Sequence, residues 1–219
     1  MREPLVIWGA GGHARVVAEV VRCEGRYELV GFLDSLKPER QGTEFAGLRV
    51  LGGTESLPDL VADGVRYLVV AVGNCSARLA LAQEAARYGF QLATSVHPRA
   101  TVAHGVSIGD GTVVMAGAVI NPGTVVGGSV IVNTSASIDH DCTIGEGVHI
   151  SPGAHLAGAV RVGRASWIGI GSIVIDNVSI GESVVIGAGG VVVNDMPDRV
   201  LAYGVPARIV RDLSPHAHG

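Results

Sequence analysis

The sequence is poor in aromatic residues and in cysteine. Its 219 residues include only two tryptophans, four tyrosines, three phenylalanines and three cysteines. Cysteines this few and this scattered exclude a disulfide framework or a zinc cluster, so we expect Cys23, Cys75 and Cys142 to be reduced thiols of a cytoplasmic protein. Because aromatic rings are scarce, the interior must be filled by Val, Ile, Leu and Ala.

Long apolar runs and clustered charges are also absent. No stretch of about 18 apolar residues is available to span a bilayer, and glycines interrupt the N-terminal apolar run before a signal peptide could form. The net charge of -4 comes from interspersed acids and bases, so no basic stripe indicates nucleic-acid binding. We therefore expect a soluble protein with neither a membrane nor a nucleic acid as partner.

The second half of the chain carries a strict six-residue repeat. Every sixth residue from Val96 to Val192 is aliphatic, and a small or β-branched residue nearly always follows four positions later, as Ala118 follows Val114. An α-helix with a period of about 3.6 cannot keep such a repeat on one face. Short strands wound into a three-walled coil can, with successive coils pairing at about 4.8 Å.

The first half alternates apolar segments with segments compatible with helices. PLVIW leads into GAGGH and a helix, ELVGFLD ends at Asp34, and RYLVVAVGN passes through Gly73 before a second helix. This alternation predicts a small Rossmann-like α/β domain with a parallel sheet, whose strands would end at one ligand-binding edge. We thus expect an α/β domain over residues 1–95, an all-β coil over 96–196 and a C-terminal tail over 197–219.

The glycine turn after the first apolar segment has two interpretations. Backbone N–H groups at the start of a helix favour a phosphate group, whereas GxGxxA followed by Asp34 also fits a fingerprint for NAD. A domain of about 95 residues is too short for a complete dinucleotide site, so the pattern favours a nucleotide-sugar. His13, at the helix start, either contacts that ligand or packs and caps the helix.

Together, the motifs resemble those of the NeuD/PglD-type sugar acetyltransferases. The resemblance rests on GAGGH, FLD, AVGN, the uninterrupted hexads, NTSASIDHDCTIGEGVHISPGAHLAG and YGVPARIVR, which span nearly the whole chain. It implies that the coil is a left-handed parallel β-helix and that the chain forms a homotrimer. It also implies transfer of acetyl from acetyl-CoA, without a metal, to the amino group of a nucleotide-linked sugar of the UDP-4-amino-sugar type.

The resemblance assigns the catalytic roles to one edge of the coil. His140 corresponds to the general base, because the sugar amine must lose a proton as it bonds to the thioester carbon. Asp141 corresponds to the carboxylate that orients the imidazole, although Asp139 also flanks it and the sequence leaves the choice open. Gly158, one coil further on, corresponds to an N–H that stabilises the oxyanion, or is simply a turn glycine.

Other positions correspond to ligand contacts in the family. His149 matches a position near the thioester, and Ile170 and Ala188 match positions that line the pantetheine groove. The implied nucleotide-sugar contacts are Gly11, Gly12, His13, Asp34, Ser35 and Gly73. Arg208 and Arg211 either meet CoA phosphates or are solvated residues near the C-terminus.

Three other functions remain open from the sequence. A hydroxyl acceptor would make the chain an O-acetyltransferase of sialic acid or a related sugar. A metal lyase of the γ-carbonic-anhydrase type has the same coil, but His104 and His140 lie two coils apart, which is too far to hold one ion within a subunit. A scaffold that binds a nucleotide without catalysis would need no base at all.

Overall fold

The computed structural model describes residues 2–214, and it begins with the predicted α/β domain. The elements of this domain are β1 (Glu3–Trp8), α1 (Gly12–Glu24), β2 (Tyr27–Leu33), β3 (Glu44–Phe45), β4 (Leu48–Gly52), α2 (Leu57–Ala62), β5 (Tyr67–Val70), α3 (Cys75–Arg87) and β6 (Gln91–Leu92). The sheet order is β3-β4-β2-β1-β5-β6, parallel except for the β3–β4 hairpin. The strands and helices expected from the alternating pattern are therefore confirmed.

The strand β1 is buried on both faces of the sheet, which explains its uninterrupted apolar sequence. Leu5 and Ile7 pack in one core with α1, whereas Val6 and Trp8 pack in a second core with α2 and α3. All four side chains are at most 1% exposed. This central position fixes the glycine turn that follows β1 at the carboxyl edge of the sheet.

The second half is a regular three-walled coil, as the six-residue repeat predicts. Its two-residue strands are β7 (Ser95–Val96), β8 (Thr101–Val102), β9 (Ser107–Ile108), β10 (Val113–Val114), β11 (Val119–Ile120), β12 (Val125–Val126), β13 (Ile131–Val132), β14 (Ser137–Ile138), β15 (Thr143–Ile144), β16 (His149–Ile150), β17 (His155–Leu156), β18 (Arg161–Val162), β19 (Trp167–Ile168), β20 (Ile173–Val174), β21 (Ser179–Ile180), β22 (Val185–Ile186) and β23 (Val191–Val192). No insertion interrupts this series.

Every third strand belongs to the same wall of the prism. Wall 1 contains β7, β10, β13, β16, β19 and β22; wall 2 contains β8, β11, β14, β17, β20 and β23; wall 3 contains β9, β12, β15, β18 and β21. All pairings within these sets are parallel, and each joins residues eighteen apart, such as Ile120 and Ile138. Three hexads therefore make one coil.

The interior of the prism is filled by the two registers that the repeat predicts. The aliphatic residues Ile120, Ile138 and Leu156 are at most 2% exposed, and so are the small residues Ala136 and Cys142 from the second register. They belong to one continuous core. Stacking of like residues from coil to coil excludes water without any aromatic side chain, which accounts for the unusual composition.

The α/β domain packs on the outer side of wall 1. Val113, Met115 and Ile131 of the prism share a buried core with residues of α1, and Val113 and Ile131 are each 1% exposed. These outward positions are apolar because a second domain covers them. One coil further along, His149 is still buried, whereas Trp167 in the next coil is 39% exposed. The edge of the covered area therefore lies between these two residues.

The segment predicted to be a C-terminal tail differs from that expectation. Strand β24 (Val200–Gly204) pairs in parallel with β22 and extends wall 1, and β25 (Ala207–Asp212) pairs with β24 as a hairpin. Val200, Ala202 and Ala207 are buried in the prism core, so the hairpin closes the end of the coil. Residues 215–219 lie outside the described part of the chain.

Two further features bear on the environment of the protein. All three cysteines are free thiols, as expected. Among residues 2–214, no helix has the length and apolar character needed to cross a bilayer.

Candidate active site

The predicted base lies at the corner between walls 2 and 3. Nδ1 of His140 is 2.8 Å from Oδ2 of Asp141, and both side chains are mostly exposed. This hydrogen bond, together with the negative charges of Asp139 and Asp141, raises the pKa of His140 above its ordinary value. Because Nδ1 is held by the carboxylate, Nε2 is the ring nitrogen left for a proton of the substrate.

The structure answers which aspartate orients the imidazole. Asp139 instead accepts hydrogen bonds at Oδ1 from the side-chain amide of Asn121 and from the backbone N–H of His140, each at 2.8 Å. These bonds, chiefly that from Asn121, lower the pKa of the Asp139 carboxyl. Asp139 therefore fixes the backbone of the corner, and Asp141 is the partner of the ring.

Two glycines pack directly against this dyad. A Cβ atom at Gly158 would lie 2.6 Å from both Cε1 and Nε2 of His140, and a Cβ at Gly123 would overlap the Asp141 carboxylate. Within the described residues the N–H of Gly158 donates no hydrogen bond, whereas Ala159, its neighbour, donates to the His140 carbonyl. A free N–H next to the base is suited to an oxyanion.

A second set of site residues lies on wall 1, where the two domains meet. The rings of His13 and His149 are 6.2 Å apart, and Trp167 stacks on His149 at 5.2 Å. Nε2 of His149 is 3.1 Å from the amide nitrogen of Asn133, whose oxygen accepts from the Thr134 N–H. Since that oxygen is occupied, the amide donates to Nε2, and the proton of His149 is on Nδ1.

Both imidazoles in this set are neutral near pH 7. Burial and, secondarily, the Arg78 guanidinium lower the pKa of His13 to about 4, and burial, Arg78 and His13 lower the pKa of His149 to about 4. The nearby Gly73 carbonyl acts in the opposite direction and raises the pKa of His149, although it forms no hydrogen bond with the ring. Nε2 of His13 and Nδ1 of His149 are buried without a partner in the described chain, so two polar atoms are available to a ligand.

The glycine turn and the loop after β5 border an open space. A Cβ at Gly11, Gly12 or Gly73 would meet no atom within 4 Å. Gly11 is the N-cap of α1, no side chain caps this helix, and its first turn has no acidic residue. Several N–H groups therefore remain for an anionic group such as a phosphate.

The other two predicted substrate residues are engaged within the protein. Oδ1 of Asp34 accepts from the N–H groups of Leu36 and Lys37, and Oδ2 forms an ion pair with Arg40 at 3.1 Å. Oγ of Ser35 accepts from Nε1 of Trp8 at 3.0 Å. These bonds hold the connection after β2 against the sheet, and any contact of the two side chains with a nucleotide stays a prediction.

The predicted pantetheine residues lie at a third location. Ile170 and Ala188 occupy the same corner, between walls 1 and 2, in consecutive coils, and both are exposed. A backbone hydrogen bond from Gly189 to the Ile170 carbonyl joins the coils there. Arg208 and Arg211 lie on the exposed strand β25. Within one chain, the corner of Ile170 is separated from that of His140 by the whole of wall 2.

Sequence reasoning missed Asn121, Asn133, Trp167 and Arg78. Asn121 and Asn133 act through side-chain bonds to residues sixteen to eighteen positions away, and Arg78 reaches residues more than fifty positions away. The eighteen-residue spacing of Asn121 from Asp139 is a signal that the coil itself supplies. No local pattern indicates the contacts of Arg78.

Comparisons with known proteins indicate the family of the chain. Residues 4–85 match the family described as the PglD N-terminal domain. The UDP-N-acetylbacillosamine N-acetyltransferase of Bacillus subtilis (strain 168) is 37% identical over 113 residues, 51% of each chain, so the match spans about half of that relative.

Two solved structures match over almost the whole chain. PerB of Caulobacter crescentus, solved with CoA and GDP-perosamine, is 41% identical with a TM-score of 0.88, and the match covers 95% of this chain and 97% of that one. The acetyltransferase domain of PglB from Neisseria gonorrhoeae FA1090, solved with acetyl coenzyme A, is 43% identical with a TM-score of 0.89, over 96% and 100% of the two chains.

The fold is that of the hexapeptide-repeat class of proteins: an α/β domain with a parallel sheet precedes a three-walled parallel β-helix, which carries an imidazole–carboxylate pair at one corner. The two structural matches extend across both domains at more than 40% identity. The chain belongs to the NeuD/PglD-type family of sugar acetyltransferases.

Proposed function

We propose that this protein transfers the acetyl group of acetyl-CoA to the amino group of a nucleotide-linked amino sugar. The observation that carries the proposal is the contact between His140 and Asp141, beside the free N–H of Gly158. The relatives support the class of reaction: one is named for N-acetylation of a UDP-sugar, one was solved with CoA and GDP-perosamine, and one with acetyl coenzyme A.

The chemistry assigns one step to each group of the dyad. As the neutral amine bonds to the thioester carbon, Nε2 of His140 accepts the proton that the nitrogen loses. Asp141 keeps the ring in the correct tautomer and stabilises the imidazolium that forms. The N–H of Gly158 stabilises the oxyanion of the tetrahedral intermediate, which collapses and expels the CoA thiolate. The imidazolium then returns the proton to the thiolate, so that no net charge is left on the enzyme.

The predicted ligand contacts divide between the two sets of residues. We propose that Gly11, Gly12, His13 and Gly73 contact the diphosphate and sugar; the room beside the three glycines and the uncapped start of α1 support this. We propose that His149 donates its Nδ1 proton to the acetyl carbonyl, because this atom is buried without a partner in the described chain and the ring lies 6.2 Å from that of His13. Ile170 and Ala188 continue along the corner of walls 1 and 2 and would line the pantetheine arm.

We further propose that one active site is assembled from two chains. In a three-walled prism the corner between walls 2 and 3 lies opposite wall 1, so His140 faces away from the α/β domain of its own chain. His140 and Asp141 are exposed in the single chain, as expected if a neighbouring chain covers them. A cyclic homotrimer would bring this corner to wall 1 of the next subunit, with the same contact repeated three times.

A coupled assay for free thiol tests the proposed function directly. Purified protein is incubated with acetyl-CoA and a panel of UDP- and GDP-linked amino sugars, and the product is checked by mass for one added acetyl group. We expect thiol release with at least one 4-amino sugar. We also expect the His140→Ala variant to turn over at least ~10²-fold more slowly. The variant His155→Ala, which removes an exposed imidazole bonded only to Ser137 among residues 2–214, is the matched control.

The other candidate functions are tested in the same experiment. Sialic acids in the panel would identify an O-acetyltransferase, for which the same dyad would deprotonate a hydroxyl group. The absence of thiol release with every sugar in the panel, together with tight nucleotide binding, would instead favour a scaffold. For a metal lyase, no group of three or more His, Cys, Asp or Glu residues within 2–214 is arranged to hold an ion, and metal analysis of the purified protein completes the test.

We place the protein in the cytoplasm. Its three cysteines are unpaired although two of them are buried in well-packed surroundings, which fits a reducing compartment. Fractionation of cells that express the chain with a C-terminal tag measures this, and recovery of the protein in an oxidising compartment would contradict it.

A further inference from the structure

Arg78, on α3, joins the two domains with a single guanidinium group. Its Nε donates to the Ser129 carbonyl at 2.8 Å, and Nη2 donates to the Gly147 carbonyl at 2.6 Å. Its Nη1 donates to the carbonyls of Val72 and Gly73 at 2.8 and 3.0 Å. One side chain therefore holds the loop after β5 and two consecutive coils of the prism.

The surroundings of Arg78 are unusual for a cation. The residue is 1% exposed, and none of the ion pairs in the described part of the chain includes it. Burial lowers the pKa of its guanidinium, yet an arginine stays charged near neutral pH. A buried cation without a carboxylate is costly unless backbone carbonyls satisfy its donors. Here four carbonyls from both domains do so at 3.0 Å or less.

The carbonyls that Arg78 meets on the prism share one structural position. Ser129 and Gly147 are eighteen residues apart at the corner between walls 3 and 1, and no other N–H in the described chain donates to either carbonyl. On the other domain, Gly73 is a predicted substrate contact, and its carbonyl lies close to His149. The guanidinium thus connects the substrate loop with the coil that carries His149.

We propose that Arg78 is a positioning residue for the transfer reaction: it fixes the α/β domain on wall 1 so that the sugar bound at Gly73 and the residues of the prism meet in register. Arg78 is 1% exposed, and all three of its nitrogens donate to backbone carbonyls of the described chain, so it acts without contacting either substrate. A misplacement of about 1 Å between reacting groups is enough to cost ~10² in rate. The inference rests on the proposed acetyl transfer.

Lysine cannot replace this arginine. An ammonium has three donors on one atom, whereas the guanidinium uses three nitrogens that point toward Ser129, Gly147 and the loop at Gly73 in different directions. Lysine keeps the charge and most of the volume. Arg78→Lys therefore tests the geometry of the contacts while the charge is kept. Arg78→Met removes the charge while much of the volume is kept.

The test compares Arg78→Lys and Arg78→Met with Arg87→Met, which removes an exposed arginine from the same helix. For each variant, steady-state kinetics give kcat and KM, and calorimetry measures binding of UDP or GDP alone and of CoA alone. Hydrogen exchange of the amides at residues 129–131, which are buried and hydrogen-bonded, reports whether the domains remain docked. The kinetic measurements use the amino sugar that proves to be a substrate of the unchanged protein, so the test requires no other assumption about the sugar.

We expect both Arg78 variants to lose at least tenfold in kcat, with the KM values and the binding of each separate ligand changed less than threefold. We also expect faster exchange at residues 129–131, and Arg87→Met should match the unchanged protein. Unchanged kcat in Arg78→Lys would overturn the inference, and so would loss of nucleotide binding in proportion to kcat, which would make Arg78 a ligand contact. If a variant does not fold, the inference depends on the other one; failure of both to fold would show a purely structural role and also overturn it. An unchanged protein without activity on any amino sugar would instead refute the proposed function.

Discussion

Oδ2 of Asp141 lies 2.8 Å from Nδ1 of His140, and this bond settles both the tautomer and the basicity of the ring. The aspartate has a left-handed backbone conformation, with φ of 58°, at the corner of the coil. Aspartate tolerates this conformation better than most residues. The corner therefore brings the carboxylate of one residue next to the imidazole of the residue before it, a contact that an extended strand would not allow.

The pH dependence of the reaction follows from this bond. The base must be neutral, so kcat/KM falls as the pH drops through the pKa of His140, which lies above the ordinary histidine value of about 6.5. In Asp141→Asn the charged acceptor is lost, the pKa of His140 decreases, and the acidic limb of the profile moves to lower pH. The plateau rate should also fall by about tenfold or more, because the imidazolium is no longer stabilised.

Rate profiles between pH 5 and 9 for the unchanged protein and for Asp141→Asn measure this shift. Asp176→Asn is a control, because this residue lies two coils further along the same corner and its side chain is hydrogen-bonded to Asn177. A limb that stays in place when Asp141 is changed would show that another group titrates.

A methyl group at Gly158 should displace the base. In Gly158→Ala the new Cβ would overlap Cε1 and Nε2 of His140, so the ring must leave its place beside Asp141. We expect kcat to fall by ~10², with little change in the KM of the nucleotide-sugar. A crystal structure of the variant would show the ring rotated.

The matched control is Gly105→Ala at the same corner of an earlier coil. Its φ of 78° makes alanine strained there, but no atom lies near the added Cβ. The control should therefore lose stability rather than activity. Equal loss of kcat in both variants would mean that general strain in the coil, and not the position of His140, limits the rate.

The six-residue repeat made the prism predictable from sequence, because only a coil of three short walls places every sixth residue inside. The same repeat assigned Ile120 and Ile138 to one column of the core, and the structure confirms it. Identification of His140 needed the family resemblance as well, since a histidine at a turn is by itself no more than a polar residue. The sequence did not decide between Asp139 and Asp141 as its partner, because the choice depends on the left-handed backbone of Asp141 and on the hydrogen bond from Asn121 to Asp139.

Contacts between distant segments were beyond the reach of the sequence. Arg78 lies in an otherwise ordinary helix, and its partners Ser129 and Gly147 are defined only once the prism is docked on the sheet. The hairpin of residues 200–212 was expected to be a tail, because its apolar residues alternate only over a short stretch and its pairing with β22 depends on the end of the coil. Tertiary context decided both cases.

The buried imidazoles should make the fold sensitive to mild acid. His13 and His149 remain neutral in the folded chain down to about pH 4 but take up protons near pH 6.5 when it unfolds. Their contribution to stability is complete above about pH 6.5 and is lost as the pH falls toward 4, because the unfolded state binds more protons in this range. For His149, which is 6% exposed, the loss amounts to about 3 kcal/mol.

Urea unfolding at intervals from pH 7.5 to 4 measures this loss as a fall in the free energy of unfolding. His149→Gln should reduce the slope against pH, because one of the two groups no longer titrates. His155→Gln, which removes an exposed histidine bonded to Ser137, is the control for the loss of an imidazole. If the slope of His149→Gln equals that of the unchanged protein, the imidazole is not kept neutral by its surroundings.

Mixing of two inactive variants tests whether each site is shared between chains. His140→Ala removes the base, and Gly12→Asp places a negative charge in the open space that is predicted to bind a phosphate. If the base of one chain serves the α/β domain of the next, each mixed trimer contains one interface in which both halves are intact. Co-expression with two different tags and purification over both should then restore activity, with up to about a third of the sites working.

His140→Ala mixed with Asp141→Asn is the control, since both changes affect the same half of the site and no interface regains both residues. Activity in the control equal to that of the test mixture, or none in the test mixture although mixed trimers form, would place the whole site within a single chain.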